Sequence, residues 1–135
     1  MFLELKAPLG PVNKKNCSEI FLRSSEMCNL SECILRENDT LESLLEKVRI
    51  ASILGTYQSI FTNFNYISED FKKNCEEERL LGVSLTGIWD CPIVRNEEVL
   101  KKLREYAIKI NEEYSQRFGI NSSVAVSAIK PAGTT

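Results

Sequence analysis

The segment that most constrains the fold is an uncharged run of nine residues, Leu80–Ile88, with glycines at positions 82 and 87. Apolar or small residues occupy almost every position, with no alternation between apolar and polar. This pattern is typical of a strand that is buried on both faces, as in a parallel sheet whose two sides are covered by helices. The run therefore predicts a central strand in a layered α/β fold.

Three helical segments surround this run. Asp39–Glu42 resembles a capping box and opens a helix that is predicted to end near Phe61 or Asn63, with apolar residues at helical spacing. A shorter helix is predicted for Ser68–Glu77, and the glutamates at 76–78 are interpreted as a solvated helix face. A third helix begins at Asn96 and is predicted to end near Phe118, where the following glycine suits a left-handed C-cap.

Further strands are predicted between and after these helices. Short extended stretches are expected around Glu19–Leu22 and Glu32–Leu35, and a second buried strand is expected at Ser123–Ile129. Strands that alternate with helices favour an α/β architecture. Residues 1–16 carry turn and loop signals without periodicity, so we treat them as an atypical N-terminal segment before a domain that spans residues 17–135.

Composition and charge narrow the class of protein. With 135 residues, 43% hydrophobic and 27% charged, the chain suits one small soluble domain. The net charge of −2 gives no basic face, so nucleic-acid binding has no electrostatic support. No apolar run approaches the roughly 20 residues of a membrane span, and the first residues do not resemble a signal peptide. We therefore expect a cytoplasmic protein with no nucleic-acid or membrane partner.

Five cysteines and no histidine limit the chemistry. In a reducing compartment, cysteines are buried, catalytic or metal-binding rather than disulfide-bonded. The absence of histidine removes Ser-His-Asp and Cys-His catalysis and every histidine-containing zinc site. Cys28 and Cys33 form a loose pair, whereas Cys75 and Cys91 are far apart, so we predict no metal site. Cys33, Cys75 and Cys91 are expected to pack in the interior or to lie at the surface.

Cys17 is the first candidate catalytic residue. In an extended segment its thiol and the Glu19 carboxylate, two residues later, would lie on the same face. A thiol beside a proton-transfer group suits radical or nucleophilic chemistry. A second thiol, Cys28, follows eleven residues after Cys17 and would add two-electron redox chemistry. The alternative is that both are ordinary buried cysteines.

The last residues form a candidate phosphate site. A strand that ends in Pro-x-Gly-Thr-Thr before a helix would offer backbone N–H groups and hydroxyls to a phosphate group. The alternative is a plain turn at the end of a strand. The candidate residues are Pro131, Ala132, Gly133, Thr134 and Thr135.

Four segments, in family order, resemble the catalytic subunit of ribonucleotide reductase, in particular its adenosylcobalamin-dependent class II branch. Asn16–Ile20 resembles the Asn-x-Cys-x-Glu finger loop, and Cys28–Glu32 resembles the strand that carries a redox cysteine. Asn74–Asp90 resembles the Arg-x-x-Gly-Val-x-Leu-Thr-Gly segment, and Lys130–Thr134 resembles the Lys-Pro-Ser-Gly-Thr turn. The resemblance covers most of this chain but a minority of a full-length reductase. It implies an incomplete part of a ten-stranded α/β barrel.

The resemblance also implies a role for each matching residue. Cys17 would carry a thiyl radical that abstracts the ribose 3′ hydrogen, and Glu19 would deprotonate the 3′ hydroxyl as the 2′ hydroxyl leaves. Cys28 would be one of two cysteines that supply the reducing electrons, its partner lying upstream in the family. Ser18 and the residues from Pro131 to Thr135 would contact the ribonucleotide substrate, a diphosphate or a triphosphate.

Cofactor and partners follow from the same resemblance. It implies adenosylcobalamin, a thioredoxin-like reductant and the remaining reductase segments. No cobalamin ligand is recognisable in the sequence, so the cofactor rests on the resemblance to class II alone.

One departure from the family pattern leaves two alternatives open. Lys15 stands where the family has its asparagine, so no substrate-holding role is assigned to Asn16. Either the loop differs, or residues 1–16 are not native reductase sequence. We interpret the chain as a fragment of a reductase catalytic subunit, and the alternative is an inactive or assembly-dependent fragment from a truncated, split or intein-interrupted gene. A third hypothesis is a small thiol redox protein that uses Cys28 and Cys33, although it lacks the Cys-x-x-Cys spacing.

Overall fold

A computed structural model of the chain describes residues 12–14 and 20–130, and within them strands alternate with helices. The α/β class predicted from the sequence is thereby confirmed. The elements are β1 (Val12–Lys14), β2 (Phe21–Arg23), β3 (Asn29–Ile34), α1 (Leu41–Gln58), α2 (Glu69–Glu78), β4 (Leu81–Thr86), a short 3-10 helix (Pro92–Arg95) and α3 (Glu97–Phe118).

The central pair of strands is parallel. β3 pairs with β4 in a register that runs from Asn29 opposite Leu81 to Ile34 opposite Thr86. All six residues of β4 are buried, which confirms the prediction of a strand covered on both faces. Parallel neighbours need a long crossover, and residues 35–80, with α1 and α2, provide it.

The two faces of this sheet differ. α1 packs on the face that carries the odd-numbered residues of β3, where Ser31 Oγ donates to Ala51 O at 3.0 Å. On that face Cys33, Val83 and Leu85 join the hydrophobic core with residues of α1 and α3. Side chains alternate along a strand, so the even-numbered residues of β3 point to the opposite face, which we call the helix-free face.

α1 starts where it was predicted to start, but the capping box at this end is formed by other residues. Thr40 is the N-cap, its hydroxyl accepts from Ser43 N, and Ser43 Oγ accepts from Thr40 N. The reciprocal residue is therefore Ser43, not Glu42. α1 ends at Gln58, before the predicted end near residue 61. The Ser59 hydroxyl donates to Thr56 O at 2.7 Å. It thereby occupies a carbonyl that would accept a backbone N–H if the helix continued for another turn.

The boundaries of α2 and α3 were predicted closely. α2 spans Glu69–Glu78, and α3 begins after the Asn96 cap and ends before Gly119, which has the left-handed conformation expected of it. α3 packs on α1, where the buried Asn111 donates to Thr56 Oγ1 at 2.9 Å.

The prediction of a regular strand at Ser123–Ile129 is wrong. This segment runs beside β4 but forms a single parallel bridge, between Val83 and Ser127. Leu81 N donates to Ala125 O, and Val83 N donates to Val126 O. β4 therefore advances two residues while the neighbouring segment advances one, and a continuous ladder is interrupted.

The prediction that residues 1–16 form a loop is wrong for Val12–Lys14, which form β1. Val12–Lys14 pair antiparallel with Phe21–Arg23 to form a second small sheet. The described sheets contain two strands each, so the ten-stranded barrel stays a prediction. Within the described residues, no helix is long and apolar enough to cross a membrane.

Candidate functional site

Of the residues predicted to form the site, the structure describes Cys28. Cys17, Ser18 and Glu19 lie outside the described residues, as does the turn from Pro131 to Thr135. The roles predicted for them stay predictions. Their chain neighbours Ile20 and Lys130 are described, however, and they show where these segments enter and leave the sheet.

Cys28 lies directly before β3 and is partly buried. Its thiol donates to Asn29 O at an Sγ–O distance of 3.9 Å. The sulfur extends over Gly82 of β4, where a Cβ atom would lie 3.4 Å from Sγ. The same Cβ would lie 3.3 Å from Ile20 Cδ1. Gly82 therefore leaves the space in which Cys28 and Ile20 converge.

The end of the described chain reaches the same strand. The backbone N–H of Lys130 donates to Ser84 Oγ at 3.0 Å. Ser84 lies two residues after Gly82, about 7 Å further along β4, and its side chain points to the same helix-free face. The structure thus brings Ile20, Cys28 and Lys130, one from each predicted site segment, to one stretch of β4.

The helix-free face is mixed in polarity. It carries Leu30, Glu32 and Ile34 from β3, all exposed, opposite Gly82, Ser84 and Thr86 of β4. Such a face offers exposed apolar side chains and one exposed carboxylate near the Cys28 thiol, whereas the hydroxyls of Ser84 and Thr86 are buried.

A buried carboxyl pair lies beside this site. Glu26 and Glu78 are each 2% exposed. Arg23 joins them: its backbone N–H donates to Glu26 Oε2 at 2.8 Å, and its Nε lies 2.9 Å from Glu78 Oε1. The pKa of Glu26 is raised to about 7 because burial disfavours the charged form and Glu78 adds negative charge, against the opposing effect of Arg23.

Sequence reasoning missed this cluster. Glu78 was interpreted as part of a solvated helix face, and that interpretation is wrong because α2 turns Glu78 inward toward Arg23. Glu77, its neighbour, does stay partly exposed and accepts from the outer nitrogens of Arg23 at 3.1 Å. Arg23 and Glu78 are far apart in the chain, so no local pattern could have paired them.

The other cysteines pack in the interior, as predicted. Cys33, Cys75 and Cys91 are buried. Burial raises the pKa of the Cys33 thiol to about 11, so it is almost fully protonated at neutral pH. Cys33 faces the core on the α1 side of β3, whereas Cys28 lies on the helix-free face. This placement argues against the small thiol redox protein, since that hypothesis needs the two thiols together.

A search of solved structures gives one strong match. The chain superimposes on a crystal structure of a B12-dependent (class II) ribonucleotide reductase with a TM-score of 0.71 and 24% sequence identity. The match covers 91% of this chain and 21% of the reductase chain. The chain has the fold of part of a ribonucleotide reductase. The predicted resemblance is confirmed at the level of the fold.

Comparisons by sequence add no relative to this one. No protein-family model matches the chain, and no curated protein matches it. Since the chain spans about a fifth of the reductase that it matches, the likeness applies to one segment of that enzyme.

Cavities that the described residues line include one of about 570 Å³, between α3 and residues 122–127, and one of about 580 Å³, between β3 and α1. Residues 12–14 and 20–130 contain no group of three Cys, Asp or Glu side chains placed to hold a metal ion.

Proposed function

We propose that this chain supplies the radical-cysteine segment of a ribonucleotide reductase that converts ribonucleotides to 2′-deoxyribonucleotides. The observation that carries the proposal is the convergence on the Gly82–Ser84 stretch of β4. Ile20, next to Glu19, and Cys28 meet over Gly82, and Lys130, next to Pro131, is bonded to Ser84. A radical thiol, a base, a reducing thiol and a phosphate site must all reach one nucleotide, so these segments have to lie together.

The proposed chemistry divides among three residues. Cys17, as a thiyl radical, removes the 3′ hydrogen of the ribose, and Glu19 takes the 3′ hydroxyl proton while the 2′ hydroxyl leaves as water. Cys28 and a second cysteine outside this chain then lose two electrons and two protons and become a disulfide. One of the two protons completes the departing water, and the other, with the two electrons, replaces the C2′–O bond by a C2′–H bond. Glu19 returns its proton to the 3′ oxygen, and Cys17 returns the 3′ hydrogen, which regenerates the radical.

The substrate would be held from both ends of the segment. Ser18 would contact the ribose side, and the turn formed by Pro131, Ala132, Gly133, Thr134 and Thr135 would bind the phosphates through N–H groups and hydroxyls. The position of Lys130 beside Ser84 supports this, because it starts the turn close to the Cys28 thiol. A ribonucleoside diphosphate and a triphosphate would fit this chemistry equally.

The proposal includes partners that this chain does not contain. A thioredoxin-like dithiol would reduce the Cys28 disulfide after each turnover. Adenosylcobalamin is proposed as the radical source from the likeness to a B12-dependent enzyme, and its site would lie on other reductase segments. A cytoplasmic location suits such an enzyme, because its thiols must be kept reduced.

The proposal is tested by a chimera in which this chain replaces the matching segment of the class II reductase. Deoxynucleotide formation is measured with adenosylcobalamin and a thioredoxin system, for diphosphates and triphosphates. We expect activity that Cys17→Ser abolishes and that the matched control Cys33→Ala retains. A folded chimera whose Cys17→Ser variant is as active as its parent would refute the radical role.

A second candidate function is supported by one exposed surface. We define the β3–α1 groove as the cavity of about 580 Å³ lined by these two elements. Its exposed apolar side chains are Leu30, Ile34, Ile50, Leu54 and Tyr57. Among the described residues β3 pairs only with β4, so its other edge is open to a further strand. These features favour a fragment that acts only after assembly with the remaining reductase segments.

A mixing experiment distinguishes an assembly-dependent reductase fragment from an inactive remnant. The chain is combined with the complementary reductase segments, and complex formation is followed by size-exclusion chromatography and reductase activity. Active assembly supports the assembly-dependent function, whereas stable binding without activity indicates an inactive remnant. Leu54→Asp in the groove should prevent the complex. Glu105→Lys, on an exposed position of α3, serves as the charge-change control.

A further inference from the structure

The segment that carries Cys28 is attached to the α2–β4 segment on both sides. Before the cysteine, Asn74 Nδ2 donates to the carbonyls of Ser24 and Ser25 at 2.9 and 3.2 Å. After it, Asn29 donates from its backbone and its side chain to Leu80 O, at 2.8 and 3.2 Å. Hydrogen bonds on both sides of Cys28 therefore attach its segment to one continuous stretch of chain, residues 74–80.

The turn before Cys28 depends on the buried cluster. Arg23 N–H bonds to Glu26 Oε2 and closes the turn, in which Ser25 takes a left-handed conformation with φ 59°. The Arg23 guanidinium then holds this turn against α2 through Glu78 and Glu77. Removing either link would release the residues immediately before Cys28.

The ionisable groups of this cluster lie close together. Glu26 and Glu78, both almost fully buried, each contact Arg23, and Glu77 is a further carboxylate at the outer edge of its guanidinium. While Glu26 is protonated, it adds no negative charge beside Glu78. When Glu26 ionises, two buried carboxylates repel each other beside Arg23, which is costly in a desolvated site.

We propose that Arg23, Glu26 and Glu78 position Cys28, and that the proton of the Glu26 carboxyl decides how firmly the thiol is held. The inference rests on the proposed redox role of Cys28 and adds a control to it. With the proton in place, the turn stays on α2 and the thiol stays over Gly82. When the proton leaves, repulsion between the carboxylates loosens the turn and exposes the thiol.

Among the described residues, the further titratable groups beside the cluster are Cys75 and Glu77, both on α2. The pKa of Cys75 is raised, chiefly by burial, so this thiol stays protonated near pH 7. The pKa of Glu26, about 7, places the loss of its proton near neutrality.

The test is site-resolved alkylation of the full 135-residue chain between pH 6 and 8.5. Iodoacetamide modification of Cys28 is followed by peptide mass spectrometry in the wild-type chain, in Glu26→Gln and in the control Glu69→Gln, at an exposed position at the start of α2. Glutamine has the shape of a protonated glutamic acid and cannot ionise. Dividing the wild-type rate by the variant rate at each pH cancels the intrinsic titration of the Cys28 thiol.

We expect the ratio of wild type to Glu26→Gln to be flat below pH 6.5 and to rise at least threefold by pH 8. The ratio for Glu69→Gln should stay flat throughout. A flat ratio for Glu26→Gln would refute the proposal, and a falling ratio would also overturn it by showing that charge acts on the thiol directly.

Two internal checks keep the experiment decisive. Cys33, 4% exposed, should stay unmodified, because its labelling would report global unfolding. Should Glu26→Gln fail to fold by this criterion, Glu78→Gln replaces the other member of the pair and is expected to give the same profile. No substrate or cofactor takes part, so the outcome is independent of whether the chimera reduces nucleotides.

Discussion

Gly82 and Leu30 lie opposite each other in the parallel pair β3–β4, and a Cβ atom at Gly82 would come within 2.4 Å of Leu30 Cδ2. Cys28 Sγ occupies the adjoining space, 3.4 Å from the same point. Because Gly82 has no side chain, Leu30 and the candidate redox thiol of Cys28 can both pack directly against β4.

Gly82→Ala should destabilise the fold by about 1–3 kcal/mol, because the added methyl group forces Leu30 and Cys28 away from the strand. The free energy of unfolding is measured by urea denaturation. The double variant Gly82→Ala/Leu30→Ala serves as the control, since Leu30 is 38% exposed and its truncation alone costs little. An equal loss in the single and double variants would show that Leu30 is not the cause.

Asn111→Ala should cost about 2–3 kcal/mol of stability. Its buried amide donates to Thr56 Oγ1 and Ser123 Oγ, each at 2.9 Å, and accepts from Ser123 N at 2.9 Å. The substitution leaves these partners unpaired between α1, α3 and the segment beside β4. Asn121→Ala is the matched control, because Asn121 is exposed and makes a single bond of 3.3 Å to Glu76 O. Thermal or urea unfolding showing equal losses for both variants would contradict the prediction.

Local patterns predicted much of the fold. The Asn96 cap and Gly119 fixed both ends of α3, and the uncharged run at 80–88 predicted β4, because these signals act within a few residues. Ser123–Ile129 failed for the opposite reason. Its small and apolar residues suit a buried strand, but its register beside β4 slips, and register depends on tertiary contacts that a single segment does not encode.

The site was predictable only in part. The sequence singled out Cys28, and its place at the head of β3 agrees with the strand expected from the motif around it. The link between Arg23 and Glu78 joins residues from β2 and α2, so no spacing rule could have found it. Gly82 was predicted as part of a buried strand, yet its role in admitting Cys28 follows from cross-strand geometry alone.

Cys28 and Cys33 should not form a disulfide with each other under mild oxidation. Five residues along extended chain separate them by about 16 Å, and they lie on opposite faces of β3, whereas a disulfide needs Cα atoms within about 7 Å. Diamide treatment followed by non-reducing peptide mapping checks this. Unfolded chain in urea is the control, in which the pair should become able to cross-link. A Cys28–Cys33 bridge in the native chain would revive the small thiol redox protein.

Stability should fall as the pH rises from about 4.5 to about 7. Glu26 has its pKa raised from 4.5 to about 7 in the folded chain, chiefly by burial, so the folded state holds a proton that the unfolded state has already lost. This difference is absent below pH 4.5 and fully developed above pH 7, where it lowers the free energy of unfolding by roughly 2–3 kcal/mol.

Urea denaturation at intervals from pH 5 to 8 measures the slope of the free energy of unfolding against pH. Glu26→Gln should flatten it, because glutamine keeps the neutral form at every pH, whereas Glu69→Gln, at an exposed position of α2, should retain the wild-type slope. If Glu26→Gln has the same slope as the wild-type chain, the titrating group lies elsewhere and not at Glu26.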